Sequence, residues 1–367
     1  LITRGKLPQK TLQKYKKIIG LSPSLYNERS LICLLIQDLS MLKSIAKYLI
    51  SSLLAAGLLY WAFSKSQLHW NDILSTFQQA DYNWVAVSVV IATLSHLLRA
   101  LRWEQLLGAM AYQPGTTRTL SAVLIGYFAN FLVPRLGEVS RCGSLTKTAG
   151  IPMEESFGTV ITERIVDLLS LVVLVGITFV FEWEPLQKSL FPALHLPSGA
   201  LIITASAMGL IGLGVLWKFK DFLQNLGSES KVGKMILGWI AGIGSIRHLA
   251  QPGKFFGYSV GIWLCYYLST YTLFLAFPIS ENLGMSAALT VLVMGTFGMA
   301  TPTQGGIGAY HSLVASAFVF YSLTYKDGFM LATFFHGTQM ITLLLLGGFS
   351  FILTLFLPKI SSRVEQN

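Results

Sequence analysis

Charge is what this chain lacks. Only 12% of its 367 residues are Asp, Glu, Lys or Arg, against about 25% in soluble domains, and that excludes an ordinary water-soluble globule. Cysteine is scarce too. Cys33, Cys142 and Cys265 stand far apart with no Cys-x-x-Cys pair, so neither a zinc site nor a disulfide framework is encoded, and the thiols read as free groups in helices. There is no Gly-x-x-x-x-Gly-Lys phosphate loop, no His-Glu-x-x-His and no Gly-x-Ser-x-Gly, and Gly306-Ile-Gly308 has no strand before it. No cofactor, no metal ion and no nucleic acid is expected.

Apolar residues take the place of the missing charge. They make up 53% of the chain, the mean hydropathy is +0.59, and apolar runs repeatedly approach the ~20 residues that span a bilayer. This composition predicts an all-α, polytopic membrane helix bundle of about 7–9 membrane segments whose partners are membrane lipids. Spans are expected at about Ile45–Phe63, Trp84–Leu107, Thr159–Phe181, Ala200–Trp217, Phe255–Phe277 and Phe329–Leu357, with polar loops around Lys65–Asp81 and after Glu182. Pro185, Pro192 and Pro197 mark the latter as a break.

The positive charge is unevenly placed. Residues 1–40 hold seven Lys or Arg and two acids, half of the net +10. They could form a basic arm attracted to anionic lipid heads. The chain opens on Leu1, however, and Met41-Leu-Lys43 before an apolar run looks like an ordinary start, so residues 1–40 are expected to be a dispensable or non-native extension. Residues 41–360 then form one membrane domain, followed by a tail at 361–367. Within residues 218–254 a basic loop carries Lys218, Lys220, Lys231, Lys234, Arg247 and Lys254; its stretch Met235–Ile243 suits either an interfacial helix or packing against the bundle. Basic residues at the N-terminus, from Arg99 to Lys147, in this loop and at the C-terminus place all four in the cytoplasm by the positive-inside rule.

Two broken apolar stretches stand out, one per half. The first is Gly126-Tyr-Phe-Ala-Asn-Phe-Leu-Val-Pro134-Arg-Leu-Gly137-Glu-Val-Ser-Arg141, and the second Gly295-Thr-Phe-Gly-Met-Ala-Thr-Pro302-Thr-Gln-Gly305-Gly-Ile-Gly-Ala-Tyr-His311. Each opens on Gly-x-Phe and breaks at Pro-x-x-Gly. Pro and Gly free backbone groups that lipid cannot satisfy, so such breaks belong inside protein or beside a polar cavity. Matching breaks in two halves point to a transport-type site. Charge placement closes without contradiction if each stretch enters and returns on one face, the first from the cytoplasm and the second from outside. That is an inverted repeat, with pseudo-repeats at about 82–182 and 255–357; full spans throughout, eight or nine of them, is the alternative.

Ionisable groups at membrane depth carry the chemistry, because each costs about 2.5–3.5 kcal/mol at mid-membrane unless paired or wetted. His96, Arg99 and Trp103 share a helix face. Asn130, Arg135, Glu138 and Arg141 surround the first break, and Glu163, Arg164 and Asp167 follow on the next helix. Two acids beside several arginines suggest ion pairing around a cavity with positive charge to spare for an anionic head group, since Arg forks match phosphate. Competing readings are snorkelling for Arg99 and Arg102, a helix-locking salt bridge for Glu163-Arg164-Asp167, and an i, i+3 surface pair for Glu138–Arg141. At the second break Thr301, Pro302, Gln304, Gly305, Gly306, Gly308 and Tyr310 form an uncharged half-site, joined by His311. His311 and His336 are either proton carriers or hydrogen-bonded core histidines.

The run Asn130-Phe-Leu-Val-Pro134-Arg-Leu-Gly137-Glu138-Val-Ser-Arg141, then Glu163-Arg164-Ile-Val-Asp167, then Pro302-Thr-Gln-Gly305-Gly306-Ile-Gly308 resembles the flippase-like membrane domain of lysylphosphatidylglycerol synthetases. The resemblance covers about Ser40 to Pro358. It departs from the family where an acid often follows the second glycine cluster and this chain has Tyr310-His311. It implies a bundle with re-entrant helices that moves an anionic or phosphate-bearing lipid between leaflets of a bacterial-type inner membrane. The soluble aminoacyl-transferase domain of multidomain members is not expected here, so lysyl transfer is not inherited, and a separate lipid-modifying enzyme is the expected partner. Some archaeal relatives are associated with sugar transfer from polyprenyl-phosphate lipids, which keeps a membrane glycosyltransferase, or an accessory to one, as the second reading. A non-transporting scaffold is the third.

Overall fold

A computed structural model describes residues 52–66, 69–133, 136–182 and 249–363. Residues 52–66 are helical. The labelled helices are α1 (Trp70–Gln79), α2 (Tyr82–Gly108), α3 (Thr116–Leu132), α4 (Gly137–Ala149), α5 (Met153–Phe181), α6 (Pro252–Leu275), α7 (Met285–Ala300), α8 (Ala309–Phe320) and α9 (Tyr325–Phe356). A short 3-10 turn, Gln304–Gly306, lies between α7 and α8. No strand occurs among the described residues, and the chain is an all-helical membrane protein. The expected span at 200–217, most of the basic loop, residues 1–40, and Pro134 and Arg135 lie outside the described residues.

Local chemistry sets the helix ends. Asp81 accepts from the Asn83 N–H and starts α2, while Thr324 accepts from the Asp327 N–H and starts α9. Gly150, left-handed at φ 67°, ends α4. α2, α5 and α9 are long and apolar enough to cross a membrane. Apolar side chains on the outer face of α5, such as Leu169, Val172, Val173 and Val180, are exposed, as a lipid-facing surface requires. Two expectations need correction. The polar loop before Asp81 contains α1, and α5 begins at Met153 rather than near Thr159, the polar stretch ahead of it being the helix α4. Polarity misled in each case, because α1 and α4 are short helices whose polar faces need no lipid.

Both broken stretches are antiparallel helical hairpins. α4 and α8 have 13 and 12 residues, about 18–20 Å at 1.5 Å per residue, too short for a ~30 Å hydrocarbon core. In the first hairpin the Asn130 side-chain oxygen accepts from the Gly137 N–H at 2.7 Å and closes the turn. A Cβ on Gly126 would lie 3.0 Å from the Gly137 carbonyl and 3.3 Å from Arg141 Cβ, so glycine lets the arms meet. Gly295 does the same in the second hairpin, where a Cβ would lie 2.8 Å from the Tyr310 ring. The shared Gly-x-Phe openings are therefore the contact points of two hairpins.

Each half runs long helix, hairpin, long helix, and each has its own apolar core. Trp103, Leu107, Val123, Leu145 and Val160 anchor one cluster; Phe274, Phe277, Val291, Phe318 and Phe335 anchor the other. α2 packs along α6, and α3 packs along α9. Chain direction follows from contacts at the two ends. At one end the Asp81 N–H donates to the Ala276 carbonyl, and Lys326 pairs with Asp72 at 2.7 Å. At the other, the segment after α9 bonds to Gln113, Thr148 and Ala149. α2 and α9 thus run one way through the bundle, and α5 and α6 the other.

Candidate functional site

The centre of the first half is a buried ion network. Arg99 and Arg102 on α2 are 4% and 0% exposed, so they do not snorkel. Arg99 donates to Asp167 and to the Tyr266 hydroxyl, both at 2.9 Å. Arg102 meets Asp167 at 2.7 Å and Glu163 at 3.5 Å, and its fork also reaches Ser259. Arg141, from the hairpin, pairs with Glu163. Its guanidinium lies 4.0 Å from the Trp103 ring centroid, while the Trp103 N–H donates to Thr159. The competing reading of an i, i+3 surface pair between Glu138 and Arg141 does not hold. Glu138 instead meets Arg164 at 3.2 Å, and Arg164 also reaches Asp167 at 3.6 Å.

Helical spacing explains this arrangement. Glu163 and Asp167, one turn apart, present two carboxylates on the same face of α5, and Arg99 and Arg102 approach that face from α2. Four arginines meet three carboxylates here, leaving one positive charge in excess within the network. Arg164 and Glu138 are about half-exposed, whereas Glu163 is fully buried. The network therefore has an accessible end and a sealed one.

A cavity of about 360 Å³ opens on the accessible end and is walled by both halves of the chain. Arg99, Arg164 and Asp167 line its charged part, with His96, Tyr127 and Tyr266 beside them. The remainder is largely apolar, with Leu168, Leu171 and Leu292 among its walls. Leu168, one turn from Arg164 on the cavity side of α5, is also 60% exposed, so the cavity is open there. His96 Nδ1 and the Trp263 indole N–H, on residues that line the cavity, are buried with no hydrogen-bond partner among the described residues. A polar guest could satisfy both.

Of the expected site residues, Arg99, Arg164, Asp167 and Tyr310 line the cavity. Glu138 reaches it through Arg164, and Arg141 and Glu163 lie behind it. Asn130 fastens the hairpin turn, and Arg135 is outside the described residues. Thr301, Pro302, Gln304, Gly305, Gly306, Gly308 and His311 build the second break without lining the cavity. Thr301 and Thr303 hydroxyls meet at 3.3 Å, and the Gly308 N–H donates to His311 Nδ1 at 3.4 Å. Sequence reasoning missed Tyr127, Trp263, Tyr266 and Gln339, all cavity residues. Tyr127 lies inside the Gly-x-Phe opening and Gln339 is a lone amide one turn beyond His336 in an apolar span, so both carried a signal. Trp263 and Tyr266, aromatics in an aromatic-rich helix, carried none.

Two halves of opposed direction, two broken hairpins and a charged cavity between them define a multi-pass membrane protein. The chain belongs to the family described as the lysylphosphatidylglycerol synthase TM region, whose pattern matches residues 45–347. It is 28% identical over 111 residues to glycosyltransferase AglD of Haloferax volcanii, covering 30% of this chain and 18% of that protein. It is also 25% identical over 100 residues to UPF0104 membrane protein MJ1595 of Methanocaldococcus jannaschii, covering 26% of this chain and 30% of that protein. The chain thus matches less than a third of the length of either relative. No solved structure matches it.

Proposed function

We propose that this protein moves an anionic, phosphate-bearing lipid between the leaflets of a bacterial-type inner membrane, with both termini in the cytoplasm and the two halves related as an inverted repeat. The observation that carries this reading is the cavity: one wall offers arginines with charge to spare, the rest is largely apolar, and it is open at the exposed Leu168. A phosphate oxygen pair suits the guanidinium fork of Arg99 or Arg164. The apolar part suits the acyl chains that follow the head group. Asp167 keeps the arginines from holding an anion too tightly for release. Membership of the family supports a lipid-facing role.

The test is reconstitution of the purified chain in liposomes carrying fluorescent phosphatidylglycerol or phosphatidylcholine in one leaflet. Faster movement of the anionic lipid than in protein-free vesicles is expected. The similarity to a protein named as a glycosyltransferase favours a second reading, sugar transfer from a polyprenyl-phosphate donor. Donor turnover in detergent without lipid movement would replace the first reading with the second. Neither activity would leave a membrane scaffold for a separate lipid-modifying enzyme.

A further inference from the structure

The two hairpins make equivalent contacts with unlike chemistry. Glu138 is the second residue of α4, and its partner Arg164 lies eleven residues into α5. Tyr310 is the second residue of α8, and His336 lies eleven residues into α9. These two also touch, their rings stacked with centroids 4.7 Å apart. Asp167 and Gln339, each fourteen residues into its helix, both line the cavity. Where the first half has a permanent cation held by carboxylates, the second has an imidazole held by neutral groups.

We propose that His336, framed by Tyr310 and His311, is a proton-binding site whose occupancy is linked to anion binding in the shared cavity. The inference rests on the reading of that cavity as an anionic head-group site. His336 Nε2 lies 2.8 Å from the Gly305 carbonyl oxygen. A carbonyl only accepts, so Nε2 carries the hydrogen and Nδ1 is the basic nitrogen of the neutral ring. A proton added at Nδ1 leaves the Gly305 bond intact, and the resulting cation rests on the face of Tyr310. His311 is wired the other way. Its Nδ1 accepts the Gly308 N–H at the start of α8, so protonation there removes a cap instead of keeping an anchor. His311 meets His336 edge-on, 5.0 Å away, and makes no hydrogen bond to it among the described residues.

The surroundings leave the charge balance to a guest. α8 brings Tyr310 and His311 against His336. α3 and α2 bring Tyr127, His96 and Arg99 to the cavity wall. Asp72 of α1 is engaged with Lys326 at the start of α9, and Lys65 lies over the Tyr325 ring. Asp167, from α5, is held by Arg99 and Arg102. None of the contacts among the described residues places a carboxylate on His336. An anion in the cavity that Tyr310 lines therefore favours the proton, and by reciprocity the proton favours the anion.

The experiment is calorimetric titration of the purified full chain in detergent with dihexanoyl phosphatidylglycerol. It is run from about pH 8 to about pH 5, in two buffers of different ionisation enthalpy, with dihexanoyl phosphatidylcholine as the uncharged control. The affinity of the anionic probe is expected to rise about fivefold or more as pH falls, with proton uptake on binding. His336→Gln, which keeps an N–H for Gly305, is expected to weaken binding and abolish both the pH slope and the uptake. His311→Gln is expected to keep them. A flat profile in the unmodified chain, or a slope that survives in His336→Gln, overturns the proposal. If neither probe binds at any pH, the anionic-lipid reading fails, and side-chain 15N spectra of the folded chain decide the proton site separately. A cationic imidazole signal that disappears in His336→Gln upholds it, and absence of that signal ends it.

Discussion

Arg99 donates to Asp167 across 2.9 Å, tying α2 to α5 at the charged end of the cavity. The bond joins residues 68 apart in sequence, so it exists only when the first half is assembled. Asp167 serves Arg102 and Arg164 as well. One carboxylate thus orients three guanidinium groups, and only Arg164 of the three is substantially exposed.

Under the proposed function, Arg164 is the arginine that would exchange its protein partners for a lipid phosphate. Arg164→Lys keeps the charge and loses the planar fork. Loss of one charge-assisted bond, about 1.5 kcal/mol, is expected to slow movement of the anionic lipid about tenfold per folded molecule, with thermal stability little changed. Glu138→Gln frees Arg164 from one partner and is expected to tighten binding of the anionic probe. Liposome transport and calorimetry, each normalised to folded protein, measure the two effects. Normal transport by Arg164→Lys would remove this arginine from the site.

Glu163 answers a different question. It is fully buried between Arg102 and Arg141, away from the cavity wall. Glu163→Gln leaves buried Arg141 without its carboxylate partner and Arg102 with Asp167 alone, and such a loss costs about 3–5 kcal/mol. A large drop in melting temperature and in yield of folded protein is expected, while any folded fraction transports at the normal rate. Unchanged melting would show that water, not Glu163, satisfies those arginines.

The hairpin contact predicts opposite outcomes for two glycines of one helix. At Gly137 a Cβ would lie 2.6 Å from the Asn130 side chain and closer still to the Gly126 carbonyl, so Gly137→Ala is expected to destabilise the protein. At Gly143 nothing lies within 4 Å, and Gly143→Ala gains helix propensity of up to about 1 kcal/mol. Thermal unfolding in detergent compares them. Equal effects would refute the close approach of α3 and α4.

Outside the spans, Asp72 carries a testable pH dependence. The hydrogen bond from Lys326, then that from the His69 N–H, hold its carboxyl below the usual carboxylate range. A depressed acid contributes stability that is present above its unfolded value, near about 3.9, and is lost as pH falls through the lower folded value. The α1–α9 contact is therefore expected to persist at neutral pH and weaken only in strong acid. Melting curves of wild type and Asp72→Asn should converge there and differ at neutral pH. A difference confined to acid would reverse the assigned sign.

The opposed chain directions predict labelling from opposite sides. With Cys33 replaced by Ser, Lys147→Cys on α4 is expected to react only from the cytoplasm, and Lys326→Cys on α9 only from outside. Labelling of both from one side would end the inverted-repeat proposal.

Composition and periodicity by themselves determined the class of this protein. Long apolar runs with few charges have one stable destination, and Pro-x-x-Gly in two such runs had to be sheltered from lipid, because freed backbone groups find no partner there. The sequence also marked the charged residues of the first half, since each is too costly at membrane depth to lie there unpaired. Pairing was another matter. Local spacing left open a pair of Glu138 with Arg141 and allowed Arg99 and Arg102 to reach the interface. The fold instead gave Glu138 to Arg164, Arg141 to Glu163, and buried both α2 arginines against Asp167. Those choices depend on which helix faces meet, and helices far apart in sequence decide them. The same holds for Tyr266 on α6 and Gln339 on α9, which share a cavity with Arg99 only because α6 packs along α2 and α9 along α3.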